Sequence, residues 1–227
     1  MNLYAIGDIH GRFDLLERAL SWIENEAGLN KAHIVFLGDY IDRGPDSKLV
    51  IETLMNGPRR KGDKFSCIRG NHEQICIEAQ YNKKAMKNWM WNGGEEALAS
   101  YGGTIPSGHI SWMESLPFYI EQEHTIFVHA GLEPSMPIDQ QDNNSLIWIR
   151  DSFLESDHNF GKHIVHGHTP IGPELCEFRT NLDSGAFMTG KLSIGVFGSK
   201  GHGKPSSVTQ VTLGSGPINF LSRRGMV

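Results

Sequence analysis

The tract Gly7-Asp8-Ile9-His10-Gly11 follows a short apolar run at residues 3–6 and precedes a helical pattern at residues 12–26. Within that pattern, apolar residues recur at steps of three and four, which is typical of an amphipathic helix. An apolar run of four residues that ends at a glycine is typical of a short strand. The segment therefore predicts a strand, a loop rich in polar residues and a helix, in that order.

The same unit recurs twice further along the chain. An apolar run at residues 33–37 ends in Gly38-Asp39-Tyr40-Ile41-Asp42-Arg43-Gly44, and another at residues 65–68 leads into Gly70-Asn71-His72-Glu73. The polar loops begin 31 and 32 residues apart, which is the length of one βαβ unit. Because such crossovers are right-handed, we expect three neighbouring parallel strands whose loops open at one edge of a sheet.

Strands dominate the second half of the sequence. Residues from about 82 to 115 predict a helical insertion beside the edge that carries the loops, and residues from about 214 to 227 predict a loose tail. The length of 227 residues favours one elaborated α/β domain over residues 1–227. Further strands are expected at residues 125–128, 164–166, 192–197 and 208–213.

The composition excludes several classes of protein. Hydrophobic residues make up 39% of the chain and charged residues 21%, as in ordinary globular proteins. The net charge of −5 provides no global positive field for a polyanion, so we expect no nucleic-acid partner. No apolar stretch approaches the ~18 residues of a membrane span, and no signal-peptide pattern opens the chain. We therefore expect a soluble cytoplasmic protein with no membrane partner.

Residue types that bind metal ions stand at five predicted strand ends. Two further tracts, His129-Ala130-Gly131 and Gly167-His168-Thr169, join the three loops above. Asp8 and His10 are two residues apart, so in an extended segment their side chains share one face and can bind one ion. Asp, His and Asn without thiolate suit manganese, iron or zinc. Any one tract is equally well explained as a turn, but five in register with strand ends indicate a shared dinuclear metal site.

The five tracts, in this order and spacing, resemble those of the metal-dependent phosphoprotein phosphatases, which are calcineurin-like metallophosphoesterases. The resemblance extends from Leu3 to about Phe197 and is greatest to the small phage-lambda-type and bacterial serine/threonine phosphatases, because the chain is compact and its last histidine tract is Gly-His-Thr. It implies an α/β fold with a central sandwich of two mixed β-sheets flanked by helices. The dinuclear metal site would lie at the carboxyl ends of the strands.

The resemblance also implies a role for each residue of the tracts. Asp39 would bridge two divalent ions, with manganese expected in vitro and iron or zinc as alternatives. His72 would be the general acid with Asp42 behind it, and Arg43 and Arg150 would bind the phosphate. The first ion would take Asp8, His10 and Asp39 as ligands, and the second Asp39, Asn71, His129 and His168.

The chemistry of these residue types is consistent with that assignment. Two divalent ions about 3.5–4 Å apart share a hydroxide, lower its pKa and place it in line with a phosphorus atom. Arginine offers a planar fork to the remaining phosphate oxygens, and the ordinary pKa of His72 suits it to protonate a leaving alkoxide. The simpler alternatives are a surface pair between Asp42 and Arg43 and an ordinary exposed arginine at Arg150. Only the alternative for Arg150 stays open.

The sequence therefore predicts a phosphomonoesterase that hydrolyses phosphoserine and phosphothreonine in proteins or peptides, with phosphotyrosine as a further substrate, by direct attack of the shared hydroxide. No regulatory subunit is evident. One alternative is a symmetrical bis(5'-nucleosyl)-tetraphosphatase, a branch that commonly lacks the acid at Asp42 and carries Asp in place of Glu73. Another is an inactive phosphate-binding scaffold, which would require a missing ligand or acid. Glu73 itself is expected only to complement a helix dipole.

Overall fold

The computed structural model describes residues 1–197 and 203–214, together with the backbone of residues 218–221. Short π-helical and 3-10 turns lie at Met90–Gly94 and Ile138–Gln140. The strands are β1 (Asn2–Ile6), β2 (Ala32–Phe36), β3 (Lys64–Cys67), β4 (Tyr119–Glu121), β5 (Thr125–Val128), β6 (His163–His166), β7 (Glu174–Leu175), β8 (Arg179–Asn181), β9 (Lys191–Phe197), β10 (Ser207–Thr212) and β11 (Ile218–Leu221). The helices are α1 (Phe13–Ala27), α2 (Ser47–Asn56), α3 (Asn71–Ala79), α4 (Lys83–Trp89), α5 (Glu95–Ser100), α6 (Ser107–Ser115), α7 (Asn143–Trp148), α8 (Asp151–Leu154) and α9 (Ala186–Thr189).

Two mixed sheets form the centre of the molecule. Their strand orders are β11-β10-β9-β1-β2-β3 and β4-β5-β6-β8-β7. Strand β2 runs parallel to both β1 and β3, with Tyr4 opposite Ile34 and Ile34 opposite Phe65, whereas β9 is antiparallel to β1. The predictions of three neighbouring parallel strands and of two mixed sheets flanked by helices are therefore confirmed.

Strand β1 is apolar on both faces because each face is covered. Leu3 and Ala5 lie in one buried cluster with Phe127 of the second sheet, which is the interior of the sandwich. Tyr4 and Ile6 lie in another cluster with the apolar sides of α1 and α2. Successive side chains of a strand point to opposite faces, so one short run fills both layers. The loops that follow the parallel strands are thereby fixed at one edge.

The region after α3 is helical, with α4, the π-helical turn, α5 and α6 in succession. The predicted loose tail is corrected at Ile218–Leu221, which pairs antiparallel with residues Ser207–Gln210 of β10. The reason is that an edge strand offers unpaired backbone groups to the chain that follows it. The remaining tail residues, 215–217 and 222–227, lie outside the described parts. Among the described helices, none combines the length and apolar character required to cross a bilayer.

Candidate active site

The predicted site residues stand where the chain turns sharply after a strand. In the described chain, six non-glycine residues have a positive φ, and five of them are predicted site residues. Such a backbone costs of order 1–3 kcal/mol per residue and is concentrated at functional sites, where the surrounding structure holds it in place. The five are His10 (φ 46°), Asp39 (φ 53°), Asp42 (φ 72°), Arg43 (φ 67°) and His168 (φ 67°).

The Asp39 carboxylate lies at the centre of the site. Its Oδ1 is 3.3 Å from His129 Nε2, and its Oδ2 is 3.6 Å from His10 Nε2 and 3.9 Å from His72 Nε2. Burial opposes the ionisation of Asp39, whereas positive charge at the surrounding histidines, His129 first, lowers its pKa. A metal ion would supply that positive charge where the rings are neutral. Asp39 is shared by two groups whose potential ligand atoms lie within 4.8 Å of one another: His10, Asp39 and His72, and Asp39, His129 and His168.

The Asn71 side chain joins the second of these groups. Asn71 is the first residue of α3, and its Oδ1 is 2.9 Å from His129 Nε2 and 3.0 Å from His168 Nδ1. An amide oxygen adds a ligand atom without adding negative charge. The structure thus brings together all four residues predicted for the second ion.

The proton positions of two histidines fit a metal site. His10 Nδ1 lies 2.9 Å from the Ile41 carbonyl and His129 Nδ1 2.7 Å from the Leu37 carbonyl. Because a carbonyl only accepts, each Nδ1 must carry the proton. Burial lowers the pKa of both rings, so both are neutral and their Nε2 lone pairs face the Asp39 carboxylate. The Nε2 lone pairs and the Asp39 carboxylate repel one another, whereas a cation placed among them would attract all of them. A metal-binding histidine usually donates its other ring N–H to a backbone carbonyl or carboxylate, as His10 and His129 do here.

Asp8 lies outside both groups formed by the described residues. Its carboxylate accepts hydrogen bonds from the His168 backbone N–H at 3.1 and 3.3 Å. The segment is not extended at His10 as expected, because the backbone there is left-handed. Burial, reinforced by repulsion from Asp183 and Asp39, raises the pKa of Asp8 well above its ordinary value. A nearby cation would relieve that repulsion.

His72, a member of the first group, forms a buried pair with Asp42. His72 Nδ1 is 2.7 Å from Asp42 Oδ2, and the other carboxylate oxygen accepts a hydrogen bond of 2.9 Å from Trp89 Nε1. Burial alone would lower the pKa of His72, but the Asp39 charge and the Asp42 hydrogen bond raise it above its ordinary value. A surface pair between Asp42 and Arg43 is excluded, since Asp42 is buried and both of its carboxylate oxygens are engaged by His72 and Trp89.

Two residues near this pair contribute more than the sequence indicates. Trp89, at the end of α4, donates to the Asp42 carboxylate 47 positions away in the chain. No pattern in the sequence relates the two residues. Glu73 is fully buried and accepts hydrogen bonds from the backbone N–H groups of Asp39, Tyr40 and Gly70 at 2.8–3.0 Å. Its place as the third residue of α3 after Gly70 is that of a capping-box acid, which is a signal readable in the sequence.

The two predicted phosphate-binding arginines lie beside different groups. Arg43 Nη1 is 2.9 Å from His10 Nε2, to which it donates, so a metal ion at that nitrogen would displace the guanidinium. Arg150 is exposed, and its Nη1 lies 3.4 Å from the hydroxyl of Thr169, the residue after His168. Arg43 thus contacts a member of the first group, and Arg150 contacts the residue that follows His168 of the second group.

All the residues of the Asp39 cluster lie within the part of the chain that matches a known family. The family model for calcineurin-like phosphoesterases matches residues 1–194. The chain belongs to the calcineurin-like phosphoesterase family. Serine/threonine-protein phosphatase 1 of Salmonella typhimurium is 26% identical over 204 residues, covering 85% of this chain and 90% of the relative. The asymmetrical bis(5'-nucleosyl)-tetraphosphatase of Oceanobacillus iheyensis is 27% identical over 224 residues, covering 85% and 87%.

Solved structures agree on the fold of this phosphoesterase. The crystal structure of a candidate diadenosine tetraphosphatase superposes with a TM-score of 0.68 at 21% identity, covering 99% of this chain and 95% of that one. As a calcineurin-like phosphoesterase, the protein is a hydrolase with His and Asp groups suited to a dinuclear metal site. Its relatives carry the names of both protein phosphatases and dinucleotide hydrolases.

Proposed function

We propose that this phosphoesterase hydrolyses phosphoserine and phosphothreonine in cytoplasmic proteins. The observation that carries the proposal is the buried His72–Asp42 pair, held at 2.7 Å beside the Asp39 cluster. A serine or threonine alkoxide is a strong base and leaves slowly unless it is protonated. General acid catalysis by a positioned histidine is typically worth about 10²–10⁴-fold.

His72 is arranged to deliver that proton. Its Nδ1 is held by Asp42, so its Nε2 faces the Asp39 cluster, where the phosphate ester would lie. Asp42 fixes the orientation of the ring and stabilises the imidazolium. The name of the Salmonella relative, a serine/threonine-protein phosphatase, supports this substrate class.

The remaining site residues would hold the metal ions and the phosphate. When bound, two divalent ions, manganese in vitro, supply an activated water and neutralise the charge of the phosphate. Arg43 and Arg150 would bind the phosphate oxygens, which guanidinium groups do in bidentate fashion. The proposed ligands are Asp8, His10 and Asp39 for one ion, and Asp39, Asn71, His129 and His168 for the other.

A dinucleoside tetraphosphate hydrolase is the second candidate, and the names of several relatives favour it. Its leaving group is a nucleotide phosphate, a much weaker base than an alkoxide, which departs without a strong acid. The fully buried His72–Asp42 pair, with Trp89 as a third hydrogen-bonded residue, is therefore better explained by a phosphomonoester of an alcohol. Asp42 and Glu73 also occupy the two positions at which that branch commonly differs.

The deciding experiment compares kcat/KM of the manganese-loaded protein for a phosphoserine peptide and for diadenosine tetraphosphate. We expect the peptide to be the better substrate. Asp39→Asn, prepared in parallel, controls for contaminating phosphatases. If the dinucleotide is preferred tenfold or more, which is about 1.4 kcal/mol in transition-state binding, the second candidate replaces the first.

A further inference from the structure

A cavity with two aromatic walls adjoins the Arg43 guanidinium. Its volume is about 380 Å³. Neither Trp91 nor Phe187 belongs to the two ligand groups or to the His72–Asp42 pair. The residues that line the cavity are Arg43, Trp91, Asn92, Gly93, Glu96 and Phe187.

Phe187 connects this cavity to the reacting centre. The Arg43 guanidinium carbon lies 4.7 Å from the centre of the Phe187 ring, as in a cation–π contact. The same ring meets the His10 imidazole edge-on, with the two centres 5.3 Å apart. One wall of the cavity thus contacts both a proposed phosphate-binding group and a proposed metal ligand. A group bound in the cavity would lie next to the phosphate.

Trp91 also lines the cavity and faces solvent. Its side chain is 91% exposed and belongs to the π-helical turn Met90–Gly94. That turn is fixed on the Arg43 loop, because the Arg43 N–H donates to the Gly93 carbonyl at 3.2 Å. Gly93 has φ +99°, and a Cβ there would lie 2.7 Å from the Arg43 nitrogen, so only glycine permits this approach. The backbone that carries the indole is therefore anchored beside Arg43, and a flat apolar ligand in the cavity would cover the exposed ring.

The charges of the lining favour a neutral ring over a chain of phosphates. Arg43 carries the positive charge and is engaged by the transferred phosphate in the proposed function. Glu96 carries a negative charge, which repels additional phosphate groups. A phenol ring is neutral, so the Glu96 carboxylate does not repel it, and both Trp91 and Phe187 can pack against it.

We propose that this cavity is a leaving-group subsite for aromatic phosphate esters, and that it receives the ring of a phosphotyrosine side chain between Trp91 and Phe187. The inference rests on the proposed function and assigns a binding subsite to the phosphotyrosine ring, a substrate that the sequence analysis already predicts. Hydrolysis breaks the bond between phosphorus and the phenolic oxygen, water supplies the new oxygen on phosphate, and the phenol leaves with a proton.

The test measures binding and turnover. Calorimetry on the manganese-loaded protein compares phenylphosphonate with methylphosphonate, which share the charged group and differ in the ring. Turnover is compared for phosphotyrosine and phosphoserine peptides of the same flanking sequence. The variants are Trp91→Ala, Trp91→Phe and Phe187→Leu. Tyr81→Ala, an exposed aromatic that does not line the cavity, is the matched control.

We expect Trp91→Ala to lower the preference for phenyl- over methylphosphonate by about three- to tenfold, the size of one aromatic contact. The preference for phosphotyrosine over phosphoserine should fall to a similar degree, Trp91→Phe should restore much of both preferences, and Tyr81→Ala should change neither. Phe187→Leu should act in the same direction. If the peptides are hydrolysed and both preferences are unchanged in Trp91→Ala, the subsite is refuted while the proposed function stands.

Two other outcomes would show whether the cavity binds the ring of phosphotyrosine or a nucleobase. Hydrolysis of diadenosine tetraphosphate but of neither peptide refutes the proposed function. A loss of dinucleotide turnover in Trp91→Ala, with no loss on phosphotyrosine, means that the cavity takes a nucleobase and overturns the assignment to tyrosine.

Discussion

Trp89 Nε1 donates a hydrogen bond of 2.9 Å to Asp42 Oδ1, and both side chains are fully buried. The other oxygen of Asp42 holds His72 at 2.7 Å. A helix outside the strand-and-loop units thus completes the hydrogen bonds of the carboxylate that orients the proposed acid. The helical region after α3 therefore contributes to the site.

Replacing Trp89 by phenylalanine removes this donor and keeps most of the ring. Because hydrogen bonds to charged groups are worth about 1.5–3 kcal/mol, we expect Trp89→Phe to lower kcat on a phosphoserine peptide by about tenfold or more. The loss on nitrophenyl phosphate, whose leaving group needs no proton, should be clearly smaller. Equal losses on both substrates, with normal metal content, would assign Trp89 a purely structural role.

Replacing His72 tests the acid directly. His72→Ala should lose about 10²–10⁴-fold in kcat on phosphoserine peptide and distinctly less on nitrophenyl phosphate. Asp42→Asn should also lose more kcat on the phosphoserine peptide than on nitrophenyl phosphate. Both losses should be smaller than in His72→Ala, because the imidazole remains. Metal analysis of both variants is the control. If the two substrates lose activity equally, His72 positions the nucleophile or the phosphate instead.

Asp39→Asn tests the shared carboxylate. Asp39 is the common member of both ligand groups, so its loss damages both sites. We expect fewer than two ions per chain by elemental analysis after loading with manganese, and activity near zero. Full occupancy with normal turnover would remove Asp39 from the bridging position.

Replacing either arginine should weaken phosphate binding without removing metal ions, unlike replacement of a metal ligand. Arg43→Ala and Arg150→Ala should weaken inhibition by inorganic phosphate and lower kcat/KM, with the metal content unchanged, since guanidinium groups bind anions. Arg43 lies against His10 and Phe187, whereas Arg150 is exposed with one long contact to Thr169. If inhibition by phosphate is unchanged in Arg150→Ala, Arg150 is an ordinary exposed arginine and does not bind phosphate.

Glu73→Gln should destabilise the fold. The glutamate accepts three backbone N–H groups with two oxygens, and an amide replaces one of those oxygens with a donor. A buried group left without its partner costs about 1–3 kcal/mol. Urea unfolding should show that loss, with Glu78→Gln, the same change at an exposed position of α3, as the control. A variant as stable as the original chain would contradict the role of Glu73 in joining α3 to the Asp39 loop.

Some elements of the fold could not be predicted because their sequences carry too little periodicity. Strands β4, β7 and β8 have only two or three residues each. They form because a neighbouring strand offers a partner: β5 to β4, β6 to β8, and β8 in turn to β7. Strand β11 forms in the same way on the edge of β10. Pairing of this kind depends on the neighbour in space and leaves no pattern within the segment itself.

The sequence by itself determined the parallel strand units, the α/β class and the residue types at the strand ends, because hydrophobic periodicity and glycine-bounded loops are local properties. Only the tertiary structure decided which of these side chains meet. It joined Asn71, His129 and His168 around one point, directed Asp8 to the His168 backbone, buried Glu73, and brought Trp89 to Asp42. Such contacts depend on the left-handed turns after the strands and on the packing of α4, which arise between segments far apart in the chain.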